Sequence, residues 1–184
     1  MRQIVLIVVG ALGITASGFA QAPAPADAIE RALAAAPRQA RDGAMVIKWK
    51  PDQTYDTVRP GTNRFVCYDQ SGEPSEQPFS VQCTTVGNLE RVAQNKKFEM
   101  IADRTERQAA LDKAEKDGTR VKPEYGSPFM TFSGKDKETA RLHVTIAVPG
   151  ATTQSTGLPD NNKMGGAWIM NAGSSTAHIM IPGS

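Results

Sequence analysis

The sequence predicts an α+β fold: a mainly antiparallel sheet of about six to eight strands, a helical segment inserted between two strand groups, and a short N-terminal helix. Three observations lead there. Apolar residues alternate with period two in several short runs before Thr85 and again after Pro128. Between these groups, Asn88 to Asp117 is dense in charge of both signs and carries helical spacing. The two cysteines of the chain, Cys67 and Cys83, stand at matching places in two consecutive apolar runs.

In chain order, residues 1–20 have the form of an export signal. Arg2 is a minimal positive start, Ile4 to Leu12 an apolar run, and Gly18-Phe19-Ala20 a small-x-small site ahead of Gln21. The run is shorter than the roughly 20 residues that span a bilayer, so no transmembrane segment is expected. The expected location is periplasmic or secreted, with residues 21–184 forming one domain.

Asp27 and Glu30 read as a capping box opening a helix whose apolar face is Ile29, Ala32, Leu33 and Ala36, ended by Pro37. Ala44 to Lys50 alternates as a strand, and Pro51-Asp52-Gln53 is a turn. Tyr55 to Val58 is a second strand, and Pro60-Gly61 turns the chain again. Phe65, Cys67 and Asp69 then share one strand face, and Phe79, Val81 and Cys83 share another. Reversing the chain at Ser71-Gly72-Glu73-Pro74 brings the sulfurs together across an antiparallel pair. The first four strands are expected to form a meander.

In an oxidising compartment such a pair is a structural disulfide. A redox-active pair would want CxxC spacing at a helix start, and fifteen residues separate these cysteines.

Asn88 is the expected cap of a helix carrying Leu89, Val92 and Ala93. Arg104 to Asp117 follows as a second helix, stopped by Gly118. Later strands are expected at Phe129 to Phe132, Leu142 to Val148, Gly166 to Asn171 and Ala177 to Ile181. In the second of these, Leu142, Val144, Ile146 and Val148 face one way and His143, Thr145 and Ala147 the other. Pro149 to Gly165 reads as a long loop, the expected place for a binding edge, with Asp160, Asn161 and Asn162 as its candidate residues.

Charge narrows the function. With 21 basic and 19 acidic residues the chain has no long-range pull toward nucleic acid, and 6% aromatic content offers no stacking platform for single strands. The partner is expected to be a protein or a small molecule, and the protein a non-enzymatic binding or envelope-associated module stabilised by its disulfide.

Two alternatives stand beside this. His178 and Met180 are two apart on a strand and share a face, and imidazole and thioether ligands suit copper(I). The plainer reading makes the methionines core filler and His178 a hydrogen-bonded core histidine. Second, Ser174, Ser175, His178 and Asp160 are the parts of a serine hydrolase. Ala172-Gly173-Ser174-Ser175-Thr176, however, has the composition of a hairpin turn, and no strand-turn-helix nucleophile motif is present. Asp69 and Glu73 fix no paired-carboxylate geometry.

The Gly61-Thr62-Asn63 stretch before Cys67, the later Cys83, Pro128-Phe129-Met130, and the ending Ala177-His178-Ile179-Met180-Ile181-Pro182 resemble a group of small exported bacterial proteins. Typical members carry Gly-Thr-Asn-Gly-Trp-x-Cys, a second cysteine, Tyr-Met-x-x-Gly and Ala-His-x-Met-x-Pro. Arg64-Phe65-Val66 departs from the Gly-Trp part. The resemblance implies export and the two-cysteine framework, and supplies no mechanism.

Overall fold

In the computed structural model the described residues are 26–181; the expected export signal of residues 1–20 lies outside them. A short helix α1 (Ala26–Ala32) precedes strands β1 (Met45–Trp49), β2 (Tyr55–Arg59), β3 (Phe65–Asp69) and β4 (Phe79–Thr85). Helices α2 (Leu89–Glu99) and α3 (Arg104–Lys116) form the insertion. Strands β5 (Pro128–Gly134) and β6 (Arg141–Ala147), a one-turn helix α4 (Thr153–Thr156), and strands β7 (Trp168–Met170) and β8 (His178–Met180) complete the described chain. All eight strands join one sheet in the order β2-β1-β3-β4-β5-β6-β8-β7, antiparallel except for β1 and β3. This is the expected α+β arrangement. Among the described residues no helix is long and apolar enough to cross a membrane.

The parallel β1–β3 contact corrects the expected meander. β2 pairs with the outer edge of β1, and the chain then crosses the end of β1 to lay β3 along its other side. The Gly61-Thr62-Asn63 motif makes this crossing. A Cβ on Gly61 would stand 2.5 Å from the Met45 nitrogen, so the backbones approach this closely only with glycine there. The Thr62 and Asn63 amides both donate to the Gly43 carbonyl, at 2.7 and 3.0 Å. Asn63 also donates its side-chain amide to the Ala40 carbonyl at 2.8 Å and accepts from the Phe65 amide at 2.9 Å. A motif that looked like a family signature is thus a backbone crossing point.

Cys67 and Cys83 are direct partners in the β3–β4 register and are joined by a disulfide. Both are fully buried in a core made by one sheet face and the N-terminal helical segment. Leu33, Ala35 and Ala36 of that segment pack against Val46, Phe79, Val81 and Met130. Asp27 lies inside the first turn of α1 rather than ahead of it, which corrects its reading as a cap.

The opposite sheet face is covered by the insertion. Leu89 and Val92 of α2 pack on Ile47, Val66 and Tyr68. Where this face is covered, Ser80 and Thr84 of β4 are buried as deeply as its apolar residues, while Gln82 between them is only half-buried. A third core lies under the C-terminal hairpin, where Ile169 and Ile179 meet Val148, Ala151, Leu158 and Ala177.

Asn88 does not cap α2. Its side chain is fully buried and turns back instead, donating to Thr84 Oγ1 at 2.7 Å and Ser127 Oγ at 2.8 Å and accepting from the Glu124 amide at 2.7 Å. The 149–165 segment is also not a structureless loop. Thr152 caps α4 with a reciprocal capping box to Ser155, and Gly157 ends it at φ +70°.

Candidate ligand-binding cleft

The alternation of β6 places His143, Thr145 and Ala147 on the sheet face that the helices cover only in part. Beside them β4 contributes Gln82, β5 Phe129 and Thr131, and β8 His178. α2 and α3 close over this floor with Arg91, Asn95, Phe98, Glu99, Arg107 and Leu111, and Arg120 and Pro123 complete the wall. The cleft between these layers has a volume of about 530 Å³, in the range of small-molecule sites.

Its electrostatics come from the arginines. Arg91 and Arg120 are 5% and 8% exposed, and among the described residues neither forms an ion pair. Neutral acceptors hold them: Arg91 donates to the Val121 carbonyl at 2.5 Å, and Arg120 to Gln94 Oε1 at 2.6 Å and Asn95 Oδ1 at 2.5 Å. Arg120 also lies over the Phe98 ring, 5.0 Å from its centroid. Burial, and then the neighbouring Arg120 charge, lower Arg91 from its ordinary pKa to about 10. Burial lowers Arg120 as well. Both remain cations at neutral pH. Glu99 is raised by burial, against the pull of Lys96, and Glu76 and Glu73 push it the same way as burial. Lys96 itself is committed to an ion pair with Glu73 over the Trp49 and Tyr68 rings.

α3 buries only Ala114, so polar contacts fix its position. Glu115 reaches the C-terminal hairpin, accepting from the Ser175 amide at 2.6 Å and from its hydroxyl. These two bonds, the hydroxyl first, lower the Glu115 pKa, with burial opposing. A depressed carboxyl contributes stability above its unfolded pKa and loses it as pH falls through the folded one. Acidification below about pH 4 is therefore expected to release the α3–hairpin link. An NMR titration of the Ser175 amide shift checks this: its midpoint should lie below the ordinary glutamate range and vanish in Glu115→Gln.

The candidate residues of the C-terminal third are dispersed. Ser174 donates to the Asn171 carbonyl at 2.7 Å and Ser175 to Glu115, so neither serine is hydrogen-bonded to His178. His178 Nδ1 lies 2.8 Å from the Thr176 carbonyl. A carbonyl only accepts, so Nδ1 carries a proton, and in the neutral ring Nε2 keeps its lone pair. Met180 lies on the same strand face, and Met170 is the direct partner of His178 across β7–β8. His143 is separate: His178 pairs with Ala147, four residues along β6, about 13 Å away. Asp160, Asn161 and Asn162 are exposed, bond chiefly within their own turn, and do not line the cleft. Among the described residues no group of three or more His, Cys, Asp and Glu is placed to hold a metal.

Sequence reading missed the cleft. Arg91 falls in the mixed-charge run from Asn88 to Asp117 and Arg120 just beyond it, and the signal for an inward role was the thin apolar stripe of that run. A helix pair with so little apolar surface leaves part of the sheet uncovered, and its charges face inward there. No family model matches this chain, and no curated protein and no solved structure matches it.

Proposed function

We propose that this protein is an exported, non-enzymatic binding module whose disulfide-stabilised sheet holds a small molecule in the cleft beneath α2 and α3. The observation that carries the reading is the cleft itself: apolar walls from Phe98, Leu111, Phe129 and Pro123, and polar groups converging from both layers. Its buried arginines, Arg91 and Arg120, are held by neutral acceptors, and no serine of the C-terminal third is hydrogen-bonded to His178, which favours binding over turnover. Export is supported by the leader-like first twenty residues, by the resemblance to small exported proteins, and by a disulfide of the kind that persists in oxidising compartments.

A second reading is favoured by one observation. The free Nε2 of His178 shares a face with Met170 and Met180, a donor set suited to copper(I).

Native mass spectrometry of the protein recovered from outside its own cells separates the two. An organic adduct lost in Leu111→Trp, which fills the cleft, is the expected result. A copper-sized adduct lost in His178→Ala and retained in Leu111→Trp would replace the first reading by the second. A bare mass throughout would remove both.

A further inference from the structure

We propose that the cleft's ligand is an amphiphilic anion, one acidic head on an apolar body; the inference rests on the small-molecule reading above. The head is assigned by the guanidinium groups of Arg91 and Arg120. A buried charge without a countercharge is costly, and structures retain one where a partner of opposite sign supplies the missing interaction. Here both guanidiniums line the same cleft, repel one another, and are held by neutral groups: carbonyl and amide oxygens and, for Arg91, the Ser175 hydroxyl at 3.5 Å. The half-buried Arg107 adds a third, bonded at most weakly to the Ser75 hydroxyl and the Ile101 carbonyl, at 3.5 and 3.4 Å.

The acids nearby act on them only through space, Glu115 on both and Glu99 on Arg120, and among the described residues none forms an ion pair with either. Glu115 is engaged by the Ser175 amide and hydroxyl. Glu99, which lines the cleft, is raised by burial, with the Lys96 charge opposing. The planar guanidinium fork matches a carboxylate, sulfonate or phosphate oxygen pair. The body is assigned by Phe98, Phe129 and Leu111, which offer apolar surface beside the charges.

The test uses two dyes of similar body and different charge, with the full mature chain and its disulfide intact. Anilinonaphthalene sulfonate is the anion and phenylnaphthylamine its neutral counterpart. The expected result is one anionic dye per protein, bound at least tenfold more weakly by Arg91→Met and Arg120→Met, with the neutral dye bound equally by all. Removing a buried cation that has no ion-pair partner should also leave the melting temperature unchanged or raise it, an effect opposite to that of losing a structural arginine. Arg107→Met, at the half-buried rim, keeps the test valid if either deeper variant fails to fold.

No binding of the anionic dye, equal preference for the two dyes, or equal loss of both in the variants would overturn the anion assignment. An organic adduct in the native spectrum accompanying any of those outcomes would leave the cleft reading standing and reject only the charge of its ligand.

Discussion

Replacing both cysteines in Cys67→Ala/Cys83→Ala should destabilise the protein by about 3 kcal/mol, the chain-entropy value for a loop of this length. The bridge spans a sequence separation of 16 and ties two neighbouring inner strands, β3 and β4, at their registered pair. For a chain of this size that corresponds to a fall of about 6–12 °C in melting temperature. The effect should be reproduced by reducing the wild-type protein. Both sulfurs are fully buried against the N-terminal helical segment, with Cys83 beside the Ala32 carbonyl, so the loss should extend to α1. Thermal melts with and without reductant provide the measurement. A shift under about 2 °C would mean that the β3–β4 register is held by its flanking pairs alone and the bridge does little.

Asn88→Ala should cost a comparable amount, about 3 kcal/mol, because one deletion removes three hydrogen bonds worth about 0.5–1.5 kcal/mol each. The Asn88 amide joins Thr84 at the end of β4 to Ser127 ahead of β5, while its oxygen receives the Glu124 amide. It therefore fixes where α2 leaves the sheet. α2 carries Arg91, Asn95, Phe98 and Glu99 into the cleft, so the same variant should weaken ligand binding without touching the ligand. Urea titration gives the stability, and a double-mutant cycle with Ser127→Ala separates the shared bond from the cavity. A loss below about 1 kcal/mol would show that water replaces the side chain, and the network would then have no claim to position α2.

Both residues were visible in the sequence, with different success. Cys67 and Cys83 could be paired because the period-two alternation of their runs and the turn between them are local properties, and register follows from both. Asn88 was read as a helix cap, the role its residue type most often plays at such a position. Its actual partners, Ser127 and Glu124, come from a segment 36 to 39 residues later, and no local pattern announces them.

The strands of the second half were legible for the same local reason, with observed edges a residue or two from those expected. The meander failed because nothing in the spacing of β1, β2 and β3 says on which side of β1 the third strand lands. That choice depends on a backbone contact between Gly61 and Met45, sixteen positions apart in sequence and touching only after the crossing is made.

By itself, then, the sequence determined the α+β class, the alternating faces, the disulfide register and the helical insertion, because each depends on interactions between near neighbours along the chain. The tertiary structure alone decided the strand order, the inward direction of Arg91 and Arg120, and the dispersal of His143, His178 and the loop residues Asp160, Asn161 and Asn162. A charged side chain on an amphipathic helix points to water or into a cleft according to what lies opposite. Here the opposite wall is a sheet face built from strands on both sides of the insertion, which only folding brings together.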